Sequence, residues 1–209
     1  MKAFIFDLDG VIVGTDEYHY LAWKQVSSEE NIYFDKKIND RLRGVSRMES
    51  LDIILERADR EYTPEEKQIL AEKKNDIYKI LLANLTPGDR FEGVTETLEQ
   101  IKSKGYKIAI GSSSKNTPFI LERLGYRNYF DAVSDGNNIK HSKPDPEVFL
   151  KAAEMLELDP SDCYVVEDAE SGIDAAKAGK FTAIGIGPAA DYVKTDIPIS
   201  HFSDLLKLI

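Results

Sequence analysis

Short apolar runs alternate along this chain with amphipathic helical patterns, and that alternation narrows the possible folds more than any other feature. The runs are Lys2–Phe6, Lys107–Ile110, Ala132–Val133, Cys163–Val166 and Phe181–Ile186. Each is short, apolar and followed by polar or turn-forming residues, as expected of buried strands. Between them lie helical stripes of about ten residues. Val94, Leu98 and Ile101 recur at i, i+4, i+7, and Val148, Phe149, Ala152, Ala153 and Leu156 form a second stripe. Strands alternating with helices predict a parallel, Rossmann-like α/β sheet. Gly105 and Gly125 are placed to end helices.

One long stretch breaks the rhythm. From Asp16 to Thr86 no convincing strand occurs. Leu51, Ile54, Leu55 and Ala58 form a helical stripe. Thr63-Pro64-Glu65-Glu66 opens another helix, with Thr63 as N-cap, Pro64 in the first position and Glu66 closing a capping box. Ile69, Leu70, Ile77, Ile80 and Leu81 are candidates to face a core. The expectation is an all-helical insert over residues 16–86 in an α/β core made of residues 1–15 and 87–209. Gly14-Thr15 and Thr86-Pro87-Gly88 would be the hinges.

With 209 residues, 42% of them apolar and 31% charged, the chain can bury a core without a disulfide or metal staple. It has one cysteine, Cys163, which suits a reducing compartment, and a cytoplasmic location is expected. The longest uncharged stretch, Phe181–Ala190, is too short to span a bilayer, and the apolar run before Asp7 is too short for a secretory signal. Twenty-seven basic residues against 37 acidic ones leave a net charge of −10, which disfavours nucleic acid and anionic membranes as partners. Any anion site must then be local.

Four segments offer the parts of such a site. Asp7-Leu8-Asp9 ends the first apolar run, where two carboxylates suit a nucleophile with a general acid/base, or a Mg²⁺ site. It also reads as a polar strand end with a solvated Asp-Gly turn. Glu167-Asp168 follows the run Cys163–Val166, at the end of a strand where open α/β sheets bind ligands. Alone, the pair also reads as an acidic helix start. Lys143, in Ser142-Lys143-Pro144, can join these carboxylates and hold a phosphate oxygen, or can be a solvated lysine before a helix. Gly111-Ser112-Ser113-Ser114-Lys115-Asn116 follows the second run with hydroxyls, backbone N–H groups and a cation, the parts of an anion cradle or of a serine-rich N-cap loop. Gly185-Ile186-Gly187-Pro188-Ala189-Ala190 mimics a dinucleotide fingerprint, but Pro188 interrupts it and no strong helix follows.

Taken in order, Asp7-x-Asp9-Gly10, the hydroxyl loop, Lys143 and Glu167-Asp168 resemble the four motifs of the haloacid dehalogenase superfamily, and the helical insert resembles its small cap. Phe4 to Ile12 with Thr15, Glu17-Tyr18-His19, Ala22-Trp23-Lys24, Leu42 to Arg47, Ser50-Leu51 and Lys74-Asn75-Asp76 resemble the β-phosphoglucomutase branch of that superfamily. The resemblance implies interconversion of β-D-glucose 1-phosphate and β-D-glucose 6-phosphate through an aspartyl-phosphate enzyme and a bisphosphate intermediate. It makes Asp7 the nucleophile and Asp9 the general acid/base. Mg²⁺ would be bound by Asp7, the Asp9 carbonyl and Asp168, with Glu167 supporting. Ser112, the Ser113 backbone N–H and Lys143 would hold the transferring phosphoryl, and Arg47, Ser114, Lys115 and Asn116 the other phosphate. His19 and Lys74 would lie near the acid/base, and Thr15, Trp23, Gly44, Val45 and Ser46 would complete the substrate site. The partner expected is a small sugar phosphate, and the expected state a monomer. The rival readings are a Mg-dependent sugar-phosphate phosphatase of the same superfamily and a non-catalytic binding module.

Overall fold

The computed structural model describes residues 2–209. Its centre is a parallel sheet of six strands: β1 (Ala3–Phe6), β2 (Lys107–Gly111), β3 (Ala132–Ser134), β4 (Cys163–Glu167), β5 (Thr182–Ile186) and β6 (Ile197–Ile199). The spatial order is β3-β2-β1-β4-β5-β6. Chain order therefore reverses at β1, which pairs with β2 on one side and β4 on the other. In an open α/β sheet the crevice at the carboxyl ends of such strands is where ligands bind.

Helices cover both faces, which is why the strands read as continuous apolar runs. On one face α7 (Glu147–Leu156) and α8 (Glu170–Ala178) pack Val148, Phe149, Ala152 and Ile173 against Ile5, Ala109 and Val165. On the other, α5 (Val94–Ser103), α6 (Thr117–Arg123) and the C-terminal turns pack Val94, Leu98, Ile101, Ile120, Phe202 and Leu205 against Phe4, Phe6 and Ile110. Gly105 and Gly125 follow α5 and α6 with φ of +83° and +78°, the left-handed conformation of a helix stop. The α/β expectation is borne out.

The stretch between β1 and β2 begins with four helices: α1 (Asp16–Glu29), α2 (Lys36–Asp40), α3 (Arg47–Leu55) and α4 (Pro64–Leu82). They enclose their own apolar cluster, including Trp23, Phe34, Leu51, Ile54 and Leu70. The C-terminal part of α4 instead joins the sheet-side core through Tyr78 and Leu82. Thr63 and Glu66 form the expected reciprocal cap.

One expectation needs correction, and one strand has no counterpart among the apolar runs. Ile69 and Ile80 are 63% and 71% exposed, so α4 buries Leu70, Ala71, Lys74 and Tyr78 in their place. Strand β6 has no sequence signal. It has three residues with Pro198 at its middle, which an edge strand tolerates because the missing N–H is not needed by a further neighbour. Among the described residues no helix is long and apolar enough to cross a membrane.

Candidate active site

The ends of β1, β2 and β4 converge at the reversal point. Asp7 continues the β1 register, donating its backbone N–H to the carbonyl of Val166 at 2.9 Å. The chain then turns at Gly10, whose φ is +86°. A Cβ there would lie 2.1 Å from Oδ2 of Asp168, so both conformation and close approach require glycine. Gly172, in the first turn of α8, makes a similar allowance: a Cβ would lie 1.7 Å from Oε2 of Glu167.

Carboxylate oxygens of Asp7, Glu167 and Asp168 lie within 4.8 Å of one another. Lys143 is 2% exposed and donates from Nζ to Asp7 Oδ1 and, at 2.8 Å, to Glu167 Oε2. The other oxygen of Glu167 accepts the backbone N–H groups of Asp168 and Ala169, at 3.0 and 3.3 Å. Burial alone would lower the Lys143 pKa, but the charges of Asp7 and Glu167 outweigh it and keep the ammonium protonated. Burial pushes Asp7 up to about 8 despite Lys143, with repulsion from Glu167 adding to the effect. Burial and repulsion from Glu167 and Asp7 push Asp168 up to about 9. When all three buried carboxylates are ionised, Lys143 and the nearby Arg43 do not balance them. The hard oxygen donors and the crowded geometry fit a divalent cation.

These shifts have a measurable consequence. The folded pKa values are raised, so without a cation these groups hold protons and their stability contribution is lost as pH rises through about 8 to 9. A cation takes the ionised form and releases protons. Its affinity should therefore rise with pH up to about 9, with proton release visible by calorimetry in two buffers of different ionisation enthalpy. An affinity that is flat with pH would contradict this.

The Asp9 carboxylate is not part of that group. The sequence brings four carboxylates to strand ends at one edge, and the structure gathers three of them while turning Asp9 aside. Its Oδ1 accepts the hydroxyl of Thr15, which itself accepts from Tyr78 Oη at 3.2 Å. Burial pushes Asp9 up to about 6, with the Thr15 hydrogen bond opposing. Close by, Lys74 Nζ lies 2.8 Å from His19 Nδ1. Burial and then the charges of Lys74 and Arg47 hold His19 well below its usual range. His19 is therefore neutral; while Lys74 is an ammonium, which only donates, Nδ1 accepts from it and the ring proton sits on Nε2. Burial and the Arg47 charge bring Lys74 down to about 7.

A second polar group lies between the inserted helices and the hydroxyl loop. Ser46 caps α3, and Arg47, the first residue of that helix, donates to Asn75 Oδ1 at 2.8 Å. Asn116 Nδ2 donates to the same oxygen at 2.9 Å. Within the loop, Ser112 Oγ accepts from Ser114 N–H and Ser114 Oγ from Asn116 N–H, both at 3.2 Å. Both hydroxyl protons stay available to a ligand. Among the described residues Ser113 Oγ is buried without a partner.

Most of these groups face one cleft of about 410 Å³. It is lined by Asp7, Asp9, His19, Trp23, Gly44, Val45, Ser46, Arg47, Lys74, Ser112, Ser113, Ser114, Lys115, Asn116, Lys143, Glu167 and Asp168. Thr15 lies outside the lining, 1% exposed, hydrogen-bonded to Asp9. Three residues of the site have no role assigned from the sequence, although Arg43 and Asn75 fall in segments that carry the resemblance. Arg43 pairs with Asp16 and places Nη1 3.6 Å from Asp168 Oδ2. Asn75 and Tyr78 join the two networks above. A neutral amide and a tyrosine on a helix carry no local signal of such roles.

Residues 1–180 match the haloacid dehalogenase-like hydrolase family. The chain is 45% identical over 207 residues to a β-phosphoglucomutase of Bacillus subtilis (strain 168), covering 98% of this chain and 92% of that protein. It is 34% identical to a phosphorylated carbohydrates phosphatase of Thermotoga maritima, covering 85% and 81%. A crystal structure of a β-phosphoglucomutase from Clostridium difficile has a TM-score of 0.92 at 39% identity, covering 98% of this chain and 93% of that one.

Proposed function

The chain belongs to the haloacid dehalogenase-like hydrolase family, and on that premise we propose that it interconverts β-D-glucose 1-phosphate and β-D-glucose 6-phosphate with Mg²⁺ as cofactor. The observation that carries this reading is one cleft lined by two kinds of anion grip. The first is the Asp7–Lys143–Ser112 group, and the second is the Arg47–Asn116 group with Lys115 and Ser114. A hydrolase acting on a monophosphate needs only the first. A mutase working through a bisphosphate must hold both phosphates and let them exchange places. The similarity to the B. subtilis enzyme over nearly the whole chain supports the same choice.

In this reading Asp7 attacks phosphorus and the sugar oxygen leaves, giving an aspartyl phosphate. Asp9 protonates the leaving oxygen and later removes the proton from the accepting hydroxyl. A pKa near neutrality suits both tasks, and Asp9 stands at about 6. Lys143, the Ser112 hydroxyl and the Ser113 N–H hold the oxygens of the transferring phosphoryl, where negative charge is spread in the transition state. Asp7, Asp168 and the Asp9 carbonyl would hold Mg²⁺, with Glu167 supporting, and the ion would neutralise charge on the nucleophile and the phosphoryl. The helices of residues 16–86 act as a cap that excludes water, so that the phosphoryl returns to a sugar hydroxyl. A small sugar phosphate as the partner, a monomeric state and a cytoplasmic location belong to the same reading.

Phosphorus NMR tests it directly. With Mg²⁺, β-glucose 1-phosphate and a catalytic amount of the bisphosphate, the expected product is glucose 6-phosphate. Inorganic phosphate as the sole product would favour the phosphatase reading.

Arg47 separates the two readings at the level of one residue. Losing a hydrogen bond to a charged group costs roughly 1.5–3 kcal/mol, or about 10- to 150-fold. Arg47→Ala should lower isomerisation by at least that factor. Phosphorylation by acetyl phosphate should persist, because that donor has no second phosphate. A parallel fall in both activities would make Arg47 structural.

A further inference from the structure

The geometry points to Asn75 as a positioning residue that assembles the second phosphate grip from both sides of the cleft; this rests on the reading that Arg47 and Asn116 hold the phosphate not being transferred. Asn75 lies half-buried on α4. Its Oδ1 accepts from Arg47 Nη2 at 2.8 Å and from Asn116 Nδ2 at 2.9 Å. The assignment of these atoms follows from chemistry. A guanidinium has only donors, so it must meet the carbonyl oxygen of Asn75. That oxygen then requires the NH₂ of Asn116, so neither amide can be flipped without breaking the set.

The three residues come from separate parts of the chain. Arg47 opens α3, Asn75 is in α4, and Asn116 immediately precedes α6 beside the sheet. The Asn75–Asn116 bond therefore ties the inserted helices to the α/β core. It forms only where the two meet, so the grip is complete only when the inserted helices lie against the core. Neutrality is the second part of the argument. Burial lowers the Arg47 pKa, so its charge benefits from an acceptor. A carboxylate at position 75 would supply one but would also cancel the charge that a phosphate needs. An amide carbonyl orients the guanidinium and leaves its charge intact. It occupies one Arg47 donor and one Asn116 donor, leaving the remaining N–H groups for phosphate oxygens.

The test is a double-mutant cycle with steady-state kinetics. Asn75→Ala should lower kcat/KM for β-glucose 1-phosphate by about 10-fold, the lower end of the range for a hydrogen bond to a charged group. Formation of the aspartyl phosphate from acetyl phosphate should be unchanged. In an Arg47→Ala background, Asn75→Ala should cost less than about threefold further, since a residue acting through Arg47 loses most of its effect once Arg47 is gone. Asn75→Asp, nearly isosteric, should be worse than Asn75→Ala for the sugar phosphate, through repulsion of the ligand. Full additivity in the Arg47→Ala background, or an equal fall with acetyl phosphate, would overturn the assignment. Asp performing as well as Asn would overturn it too. The product formed by the unmodified protein decides separately between mutase and phosphatase, and the cycle is read on whichever sugar-phosphate reaction that protein performs.

Discussion

Asp7→Asn is expected to abolish the aspartyl phosphate and with it turnover. Asp7 is held by the N–H bond to Val166 and lies within reach of Lys143, Glu167 and Asp168, so the exchange removes the nucleophilic oxygen while leaving its volume in place. An amide oxygen does not attack phosphorus to give a stable acyl phosphate, and no neighbouring carboxylate inherits the position. Glu167 is occupied by Lys143 and by two backbone N–H groups. Loss on the order of 10⁶-fold is the scale seen when a covalent nucleophile is removed from an otherwise intact site. Mass spectrometry after incubation with acetyl phosphate or with β-glucose 1-phosphate should find no phosphorylated protein. The variant should remain folded. The pKa of Asp7 is raised to about 8, so its ionised form is disfavoured in the folded protein, and a neutral amide avoids the stability lost as pH rises through that value. A phosphorylated Asp7→Asn protein would falsify the nucleophile assignment.

Asp9→Asn should have the second largest effect, with a different signature. General acid/base catalysis is typically worth about 10²–10⁴-fold, and the variant should lose at least that much turnover. Divalent cation affinity should be nearly unchanged, because the Asp9 carboxylate points to Thr15 and stands apart from the three-carboxylate group. The pH profile supplies a second readout. Asp9 is pushed up to about 6 by burial, so the profile of the unmodified protein should show a limb near that pH, and the limb should vanish in the variant. Near-normal turnover, or a limb that survives, would remove Asp9 from the chemistry.

The fold was legible because its determinants are local. A strand buried between two helical layers must be apolar along its length, and Phe4–Phe6, Ile108–Ile110 and Val165–Val166 announce it. The capping box at Thr63 and the glycines after α5 and α6 are read from single side chains or their absence. The order of Asp7, Asp9, Ser112, Lys143, Glu167 and Asp168 was also legible, because each follows an apolar run or leads into a helix.

Other features depended on residues that meet only after folding. Helical periodicity marks Ile69 and Ile80 as core candidates, yet α4 turns them outward because its inner face is taken by Leu70, Ala71, Lys74 and Tyr78. Strand β6 exists because β5 offers an open edge, and nothing in Ile197-Pro198-Ile199 demands it. Asp9 lies two residues from Asp7, yet the turn at Gly10 and the Thr15 hydroxyl draw its carboxylate away from the cluster. Asn75 acquires its role from two partners 28 and 41 residues away along the chain. What the sequence alone determined about this protein is the arrangement of its elements and the kinds of group carried to their ends. Tertiary structure alone decided which of those groups touch, because hydrogen bonds and charge pairs act over a few ångströms between atoms whose separation in sequence does not limit their approach.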